Sequence, residues 1–146
     1  MKLAIGSDHA GHKLKAEVVK ILKEMEIEIE DHGCNCEDSV DYPDYAAPVA
    51  ESVAAGTVDK GILICGTGIG ISISANKIKG IRCALCHDVF SAKASRAHNN
   101  SNILAMGERV VGPGHAGEIV KAWLDTEFEG GRHADRVEKM MAMEEK

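Results

Sequence analysis

Residues 61–76, GILICGTGIGISISAN, read as a strand, a glycine-rich loop and the start of a helix. Leu63, Ile64 and Cys65 close a short apolar run of strand length, and glycines at 66, 68 and 70 permit a sharp turn after it. Glycine adopts backbone angles that a Cβ forbids, so successive amides of Gly66, Thr67, Gly68, Ile69 and Gly70 are expected to point into one concavity, backed by the dipole of the following helix. Such a concavity binds an anion. Cys65 stands at its edge, where the same dipole favours a negatively charged sulfur, the reactive form of cysteine. One segment thus offers a base or nucleophile beside an anion hole.

Outward from this segment, strand and helix patterns alternate. Lys2 to Gly6 is a short apolar strand, followed by SDHAGHK, in which Asp8 is placed to cap the next helix. Leu14, Val18, Ile21, Leu22 and Met25 recur at helical spacing within 11–25, a helix that covers a sheet. Ile27 to Asp31 gives a second strand. A polar loop, HGCNCEDSVDYPDY, then leads to a helix with Pro43 in its first turn, reaching about Ala55 and stopped by Gly56. Beyond the central segment come a strand at 81–85, a helix from an Asp88 cap to about Ala97, and a break at HNNSN. A strand at 103–106, a helix over PGHAGEIVKAWLD and a separate C-terminal helix finish the chain. This order predicts a doubly wound α/β domain, with five parallel strands and helices on both faces. Residues 1–146 are expected to form a single domain, without repeats or linkers.

Composition narrows the function. Apolar residues make up 45% and aromatics only 3%, which gives an aliphatic core without a base-stacking surface. A net charge of -6 opposes a broad phosphate-backbone footprint, so no nucleic-acid partner is expected and an anionic ligand must be held by a local cluster. The opening MKLAIGSDHAGHK lacks a signal-peptide stretch, and no run approaches the roughly 18 apolar residues of a membrane span. A cytoplasmic protein without a membrane partner is expected. Five cysteines, an odd number in no disulfide-framework spacing, fit a reducing compartment.

Known loop motifs fail by spacing. Counting from Gly66, the last glycine of a dinucleotide fingerprint would fall on Ile71, and no Lys-Ser or Lys-Thr follows the glycines as a P-loop requires. A cysteine phosphatase loop needs an arginine shortly after its glycines, and Ile69 to Ile73 contain none. Cys83 and Cys86 straddle a strand and its exit, whereas a redox pair belongs at a helix start. Cys34-Asn-Cys36 lacks zinc-ligand spacing, as do His12, His32, His87, His115 and His133, so no metal is expected.

In doubly wound folds ligands bind beyond the carboxyl ends of the strands, and polar residues collect there. Ser7, Asp8 and His9 follow the first strand, Cys65 to Gly70 the third, and Arg109 the fifth. His98 and Asn99 precede the fifth strand, at the end of a helix, and Arg132 and Arg136 lie four apart on one helix face. The plainer readings are a buried apolar cysteine, a helix cap at Asp8, a solvated helix end at His98 and a solvated face for the two arginines. Brought together, the same residues make an acid, a base, an oxyanion hole and a cationic clamp.

GSDHAG at 6–11, DYPDYA at 41–46, CGTGIGISISANK at 65–77 and AHNNSN at 97–102 together resemble ribose-5-phosphate isomerase type B, in a superfamily that includes galactose-6-phosphate and allose-6-phosphate isomerases. The likeness runs over essentially the whole chain. It implies a metal-independent aldose–ketose isomerase without a cofactor and a Rossmann-like domain. It further implies a homodimer whose sites are shared between subunits, with tetramers left open. Carried over, it makes Cys65 the base between C1 and C2, with Gly66, Thr67, Gly68, Ile69 and Gly70 binding the enediolate oxygen. His98 assists ring opening, Asp8 and Thr67 handle hydroxyl protons, Tyr42 lines the sugar and Asn99 bonds its oxygens. His9, Arg109, Arg132 and Arg136 match phosphate-binding positions. Some members carry a carboxylate base four residues beyond the cysteine position; this chain has Ile69 there, which indicates the cysteine branch. Ribose 5-phosphate is the expected substrate, against allose or galactose 6-phosphate, a non-catalytic sugar-phosphate or nucleotide sensor, or a thiol redox protein built on Cys83 and Cys86.

Overall fold

The computed structural model describes residues 1–146. Its elements run β1 (Lys2–Ser7), α1 (His12–Glu24), β2 (Glu28–Asp31), α2 (Pro43–Ala54), β3 (Lys60–Cys65), α3 (Ile69–Ala75), β4 (Cys83–Leu85), α4 (Val89–Ala97), β5 (Ile103–Gly107), α5 (Pro113–Asp125) and α6 (Arg132–Met141), with a final 3₁₀ turn at Ala142–Glu145. The five strands form one parallel sheet in the order β2-β1-β3-β5-β4. The expected doubly wound α/β architecture is present.

The central strands are apolar without interruption because both faces of the sheet are covered. Side chains alternate along a strand, and here alternate residues join different cores. Leu3, Ile5, Ile62, Ile64, Leu104 and Met106 pack with Leu14, Val18 and Leu22 of α1 and Ile119, Val120 and Trp123 of α5. Ala4, Leu63, Cys65, Ile103 and Ala105 pack with Val49 and Ala50 of α2 and Ile71 and Ala75 of α3. Each fully buried Leu, Ile or Val contributes about 1.5–3 kcal/mol. These two cores hold the strand ends, and the loops they carry, in fixed relation. No helix is long and apolar enough to cross a membrane.

Two sequence expectations need correction. Asp8 does not cap α1: its Oδ1 accepts from the Ala10 amide at 2.9 Å, closing a local turn, and the helix start is capped from across the fold by Glu108, whose Oε2 accepts from Leu14 N–H at 2.8 Å. The strand foreseen at 81–85 begins only at Cys83, because side chains intercept the backbone before it. Arg82 N–H donates to Asn102 Oδ1 at 2.7 Å and Cys83 N–H to Asn76 Oδ1 at 2.8 Å. Helix α3, whose dipole backs the glycine loop, is seven residues long. By contrast, Asp88 caps α4, accepting from Ser91 N–H at 2.6 Å, and Gly56 takes a left-handed φ of 73° just past α2.

Candidate active site

The carboxyl ends of β1, β3 and β5 meet at a cavity of 240 Å³. Asp8, His9 and Ala10 come from the turn after β1, Cys65, Gly66, Thr67 and Gly70 from β3 and its loop, and Arg109 from beyond β5. Tyr42 closes it from the start of α2, its ring so near Gly70 that a methyl there would meet the ring at 2.6 Å. The Arg109 guanidinium lies over Gly66 in the same way, 3.0 Å from where a side chain would begin. Cys65 is 4% exposed, backing onto the α2 and α3 core while lining the cavity.

The loop geometry follows from one residue. Gly68 has φ 76°, a left-handed conformation that costs an ordinary L-residue about 1–2 kcal/mol, and it begins α3. This bend sends the Gly68 N–H back to Cys65 Sγ at 3.0 Å. The amides of Gly66, Thr67 and Gly70 donate to no group of the chain, and all three residues line the Cys65 cavity. Ile69 N–H is taken by Thr67 Oγ1 at 3.3 Å, so it is not one of the free donors. His9 is oriented by its Nδ1, which accepts from Val40 N–H at 3.1 Å.

The other candidate residues lie elsewhere in the chain. Helix α4 starts beyond the carboxyl end of β4 and runs back, so its last residue delivers His98 and Asn99 to the amino edge of the sheet. There Gly61 N–H, at the start of β3, donates to Asn102 O at 3.0 Å. Along β3 that edge is about 16 Å from Cys65, at roughly 3.3 Å per residue. His98 and Asn99 share a cavity of 350 Å³ with His133, Arg136 and Val137 of α6. Arg132 is exposed in the first turn of the same helix. Within one chain, then, His98, Asn99, Arg132 and Arg136 do not meet Asp8, His9, Cys65 and Arg109. The candidate residues fall into two groups, at opposite ends of the sheet.

Some contributors were not singled out from sequence. His133 stacks on His98, with ring centroids 4.4 Å apart and planes 13° from parallel, and its Nε2 lies 3.4 Å from Glu129. His98, Glu129 and His133 each offer a potential metal-ligating atom, all within 4.8 Å of one another; Glu129 and His133 lie four apart, and His98 comes from the end of another helix. His87 Nε2 accepts from Gly107 N–H at 3.0 Å, which steadies the β5 end directly beneath Thr67. Burial holds the His87 imidazole below its ordinary value, against a smaller upward pull from Asp88. Burial pushes the Cys83 and Cys86 thiols up, which disfavours their reactive form. A larger cavity of 440 Å³ lies between the β4 edge and the C-terminal helix, and of the candidate residues only Asn99 reaches it.

Comparison with known proteins agrees over the whole chain. The family model for Ribose/Galactose Isomerase matches residues 3–140. Ribose-5-phosphate isomerase B of Escherichia coli (strain K12) is 52% identical over 145 residues, covering 99% of this chain and 97% of that protein. The structure of ribose-5-phosphate isomerase B from Clostridium thermocellum superposes with a TM-score of 0.98 at 54% identity, covering 99% of this chain and 98% of the other. That of the Mycoplasma genitalium ribose-5-phosphate isomerase B, solved with bound ribulose-5-phosphate, superposes at 0.95 with 39% identity, covering 99% and 97%. Fold and likeness together define an enzyme of the aldose–ketose isomerase class. Within that class, the chain belongs to the ribose/galactose isomerase family, on its ribose-5-phosphate isomerase type B branch.

Proposed function

We propose that this protein interconverts ribose 5-phosphate and ribulose 5-phosphate by moving a proton between C2 and C1 through an enediolate, with Cys65 as the base. The observation that carries this reading is the Cys65 sulfur held by the Gly68 amide at 3.0 Å, with Gly66, Thr67 and Gly70, whose amides are unpaired, lining the same cavity. Proton abstraction next to a carbonyl needs a base facing the carbon and fixed donors at the oxygen that becomes negative. The loop supplies both from one turn. Asp8 and Thr67 exchange protons with the sugar hydroxyls, and Tyr42 walls the chain of the substrate. The proton returns to the neighbouring carbon, so the overall redox state is unchanged and the scheme calls for neither metal nor cofactor.

His98 opens the furanose ring and Asn99 bonds a sugar oxygen, both supplied by a second copy of the chain. His9 and Arg109 from one copy and Arg132 and Arg136 from the other hold the phosphate. Two facts favour this division: the two groups of residues lie at opposite ends of one chain, and the Cys65 cavity of 240 Å³ is smaller than the roughly 300–1,000 Å³ of ordinary ligand sites. The protein therefore acts as a homodimer with composite sites.

The test is exchange of the C2 hydrogen with deuterated solvent. Wild-type protein exchanges it and Cys65→Ala binds the sugar phosphate without exchange, whereas a sensor would keep its response in the variant. A steady-state comparison of ribose 5-phosphate with allose and galactose 6-phosphates fixes the substrate, with the highest kcat/KM expected for the ribose ester. Equal use of a hexose phosphate would replace that assignment; the family description, which names galactose beside ribose, makes the comparison necessary.

A further inference from the structure

Two cysteines outside the site described above are in contact. In HGCNC, residues 32–36, Cys34 Sγ and Cys36 Sγ are 3.2 Å apart, and Cys36 N–H donates to Cys34 Sγ at 3.3 Å. No other two of the five thiols are in hydrogen-bond contact. The protein holds this loop from both sides. Cys34 N–H donates to Ser7 O at 2.6 Å and Ser7 N–H to Gly33 O at 2.7 Å, extending the β1 pairing past the end of β2. Asn35, between the cysteines, accepts at Oδ1 from the Lys15 ammonium at 2.8 Å, and Lys15, 2% exposed, is fixed in turn by Asp31 Oδ1 at 2.7 Å. A buried cation committed to the middle residue of the motif keeps both sulfurs on one side of the turn.

The two thiols differ in access. Cys34 is 3% exposed, whereas Cys36 is open to solvent. Burial pushes the Cys34 thiol up, so it is the slower of the two toward small oxidants in solution. Cys65 and Cys86 are buried, Cys65 at the floor of its cavity, and Cys83 is half-buried in the β4 region.

We propose that Cys34-Asn-Cys36 is a redox modification site, at which a hydroperoxide oxidises Cys36 and Cys34 then closes an intraloop disulfide. In the first step the Cys36 sulfur attacks the peroxide, the O–O bond breaks, and a sulfenic acid forms with release of water or an alcohol. In the second the Cys34 sulfur attacks the Cys36 sulfur, the S–O bond breaks, and the hydroxide leaves with the Cys34 proton as water. Two electrons pass from the thiols to one peroxide, and a dithiol reverses the reaction by exchange. Closure brings the sulfurs from 3.2 Å to about 2.05 Å, a shift taken up by the exposed Cys36 because the Cys34 backbone is pinned to Ser7. The loop continues to Val40, which holds His9, and to Tyr42, so the modification sits beside the substrate cavity. Any effect on turnover rests on the isomerase reading; formation of the disulfide does not.

The test treats the full chain with stoichiometric hydrogen peroxide, blocks remaining thiols with N-ethylmaleimide after denaturation, and maps peptides by mass spectrometry. The peptide carrying both cysteines is expected to lose two hydrogen atoms and escape labelling, while Cys65, Cys83 and Cys86 label fully; dithiothreitol restores labelling. Cys34→Ser should stop at a Cys36 sulfenic acid trapped by dimedone, and Cys36→Ser should leave Cys34 free. Oxidation of Cys65 ahead of the pair, or a Cys36 sulfinic acid with Cys34 still reduced, overturns the proposal. Because the readout is mass alone, it stands or falls independently of turnover.

Discussion

Replacing Gly68 by alanine tests whether the bend at the start of α3 builds the site. Alanine at a left-handed φ costs about 1–2 kcal/mol, offset by about 0.4–1 kcal/mol because alanine restricts the unfolded chain. Gly56→Ala measures that difference alone: its φ is 73°, and nothing lies within 4 Å of the added methyl. At Gly68, with φ 76°, the methyl would meet Leu85 Cδ1 at 2.5 Å and the Met106 carbonyl carbon at 2.8 Å. Leu85 can rotate away; the Met106 backbone, held in β5 and paired with Ile64 of β3, cannot. Overpacking of this kind costs a further 1–3 kcal/mol, roughly. Urea unfolding at matched protein concentration should therefore find Gly68→Ala less stable than Gly56→Ala by about 1–3 kcal/mol with similar m-values. Deuterium exchange at the sugar C2 should fall at least about tenfold in Gly68→Ala, because the amide that holds Cys65 moves, and stay unchanged in Gly56→Ala. Equal stability losses, or full exchange in a folded Gly68→Ala, would refute the reasoning.

Glu108→Ala removes the acceptor for Leu14 N–H and should destabilise the fold by about 1 kcal/mol, read as a lower urea midpoint; an unchanged midpoint would mean water serves the helix end equally well. Because burial holds His87 below its ordinary 6.5, the unfolded chain binds more protons than the native one just below that pH. His87 thus leaves stability intact above about pH 6.5 and erodes it as pH falls toward the native value, and His87→Gln should flatten this part of a midpoint-against-pH curve. Mixing inactive Cys65→Ala with inactive His98→Asn after dissociation should restore activity. Random pairing puts half the chains in mixed dimers with one intact site of two, so about a quarter of wild-type turnover returns. No recovery, with mixed dimers confirmed by mass, would place both residues in one chain's site.

The fold was legible because its evidence is local. Three unbroken apolar runs, each ending in glycine or serine and separated by helical periodicity, admit little but a parallel sheet covered on both faces. The misread parts depend on residues distant in sequence. Asp8 satisfies the sequence rule for a helix cap, yet the turn it closes onto Ala10 takes its carboxylate first, and the cap comes from Glu108, 94 residues from Leu14. Strand β4 is shortened by Asn76 and Asn102, which no pattern within 81–85 reveals. His87 and His133 showed only that they had no metal-ligand spacing, because their partners, the Gly107 amide and the His98 ring, come from other elements.

The candidate residues could be picked out from the sequence, but their positions in the fold could not. Cys65 and His98 both border strands, and the rule that ligands gather beyond strand ends does not say which end a helix-terminal residue occupies. The direction of α4 decides it: a helix leaving the carboxyl edge must end at the amino edge, so His98 and Cys65 of one chain are separated by the length of β3. Charge leads to the same division. A phosphate must be held against a net charge of -6, and the Cys65 cavity contributes one arginine, Arg109, beside His9. Helix α6 carries Arg132 and Arg136 with no buried face and no carboxylate within ion-pair distance of either. In the proposed homodimer, two arginines left unpaired at one end of a copy would complement a cavity with a single arginine at the other end of its partner. Under the proposed reading, that is why the clamp and the base can belong to one site without belonging to one chain.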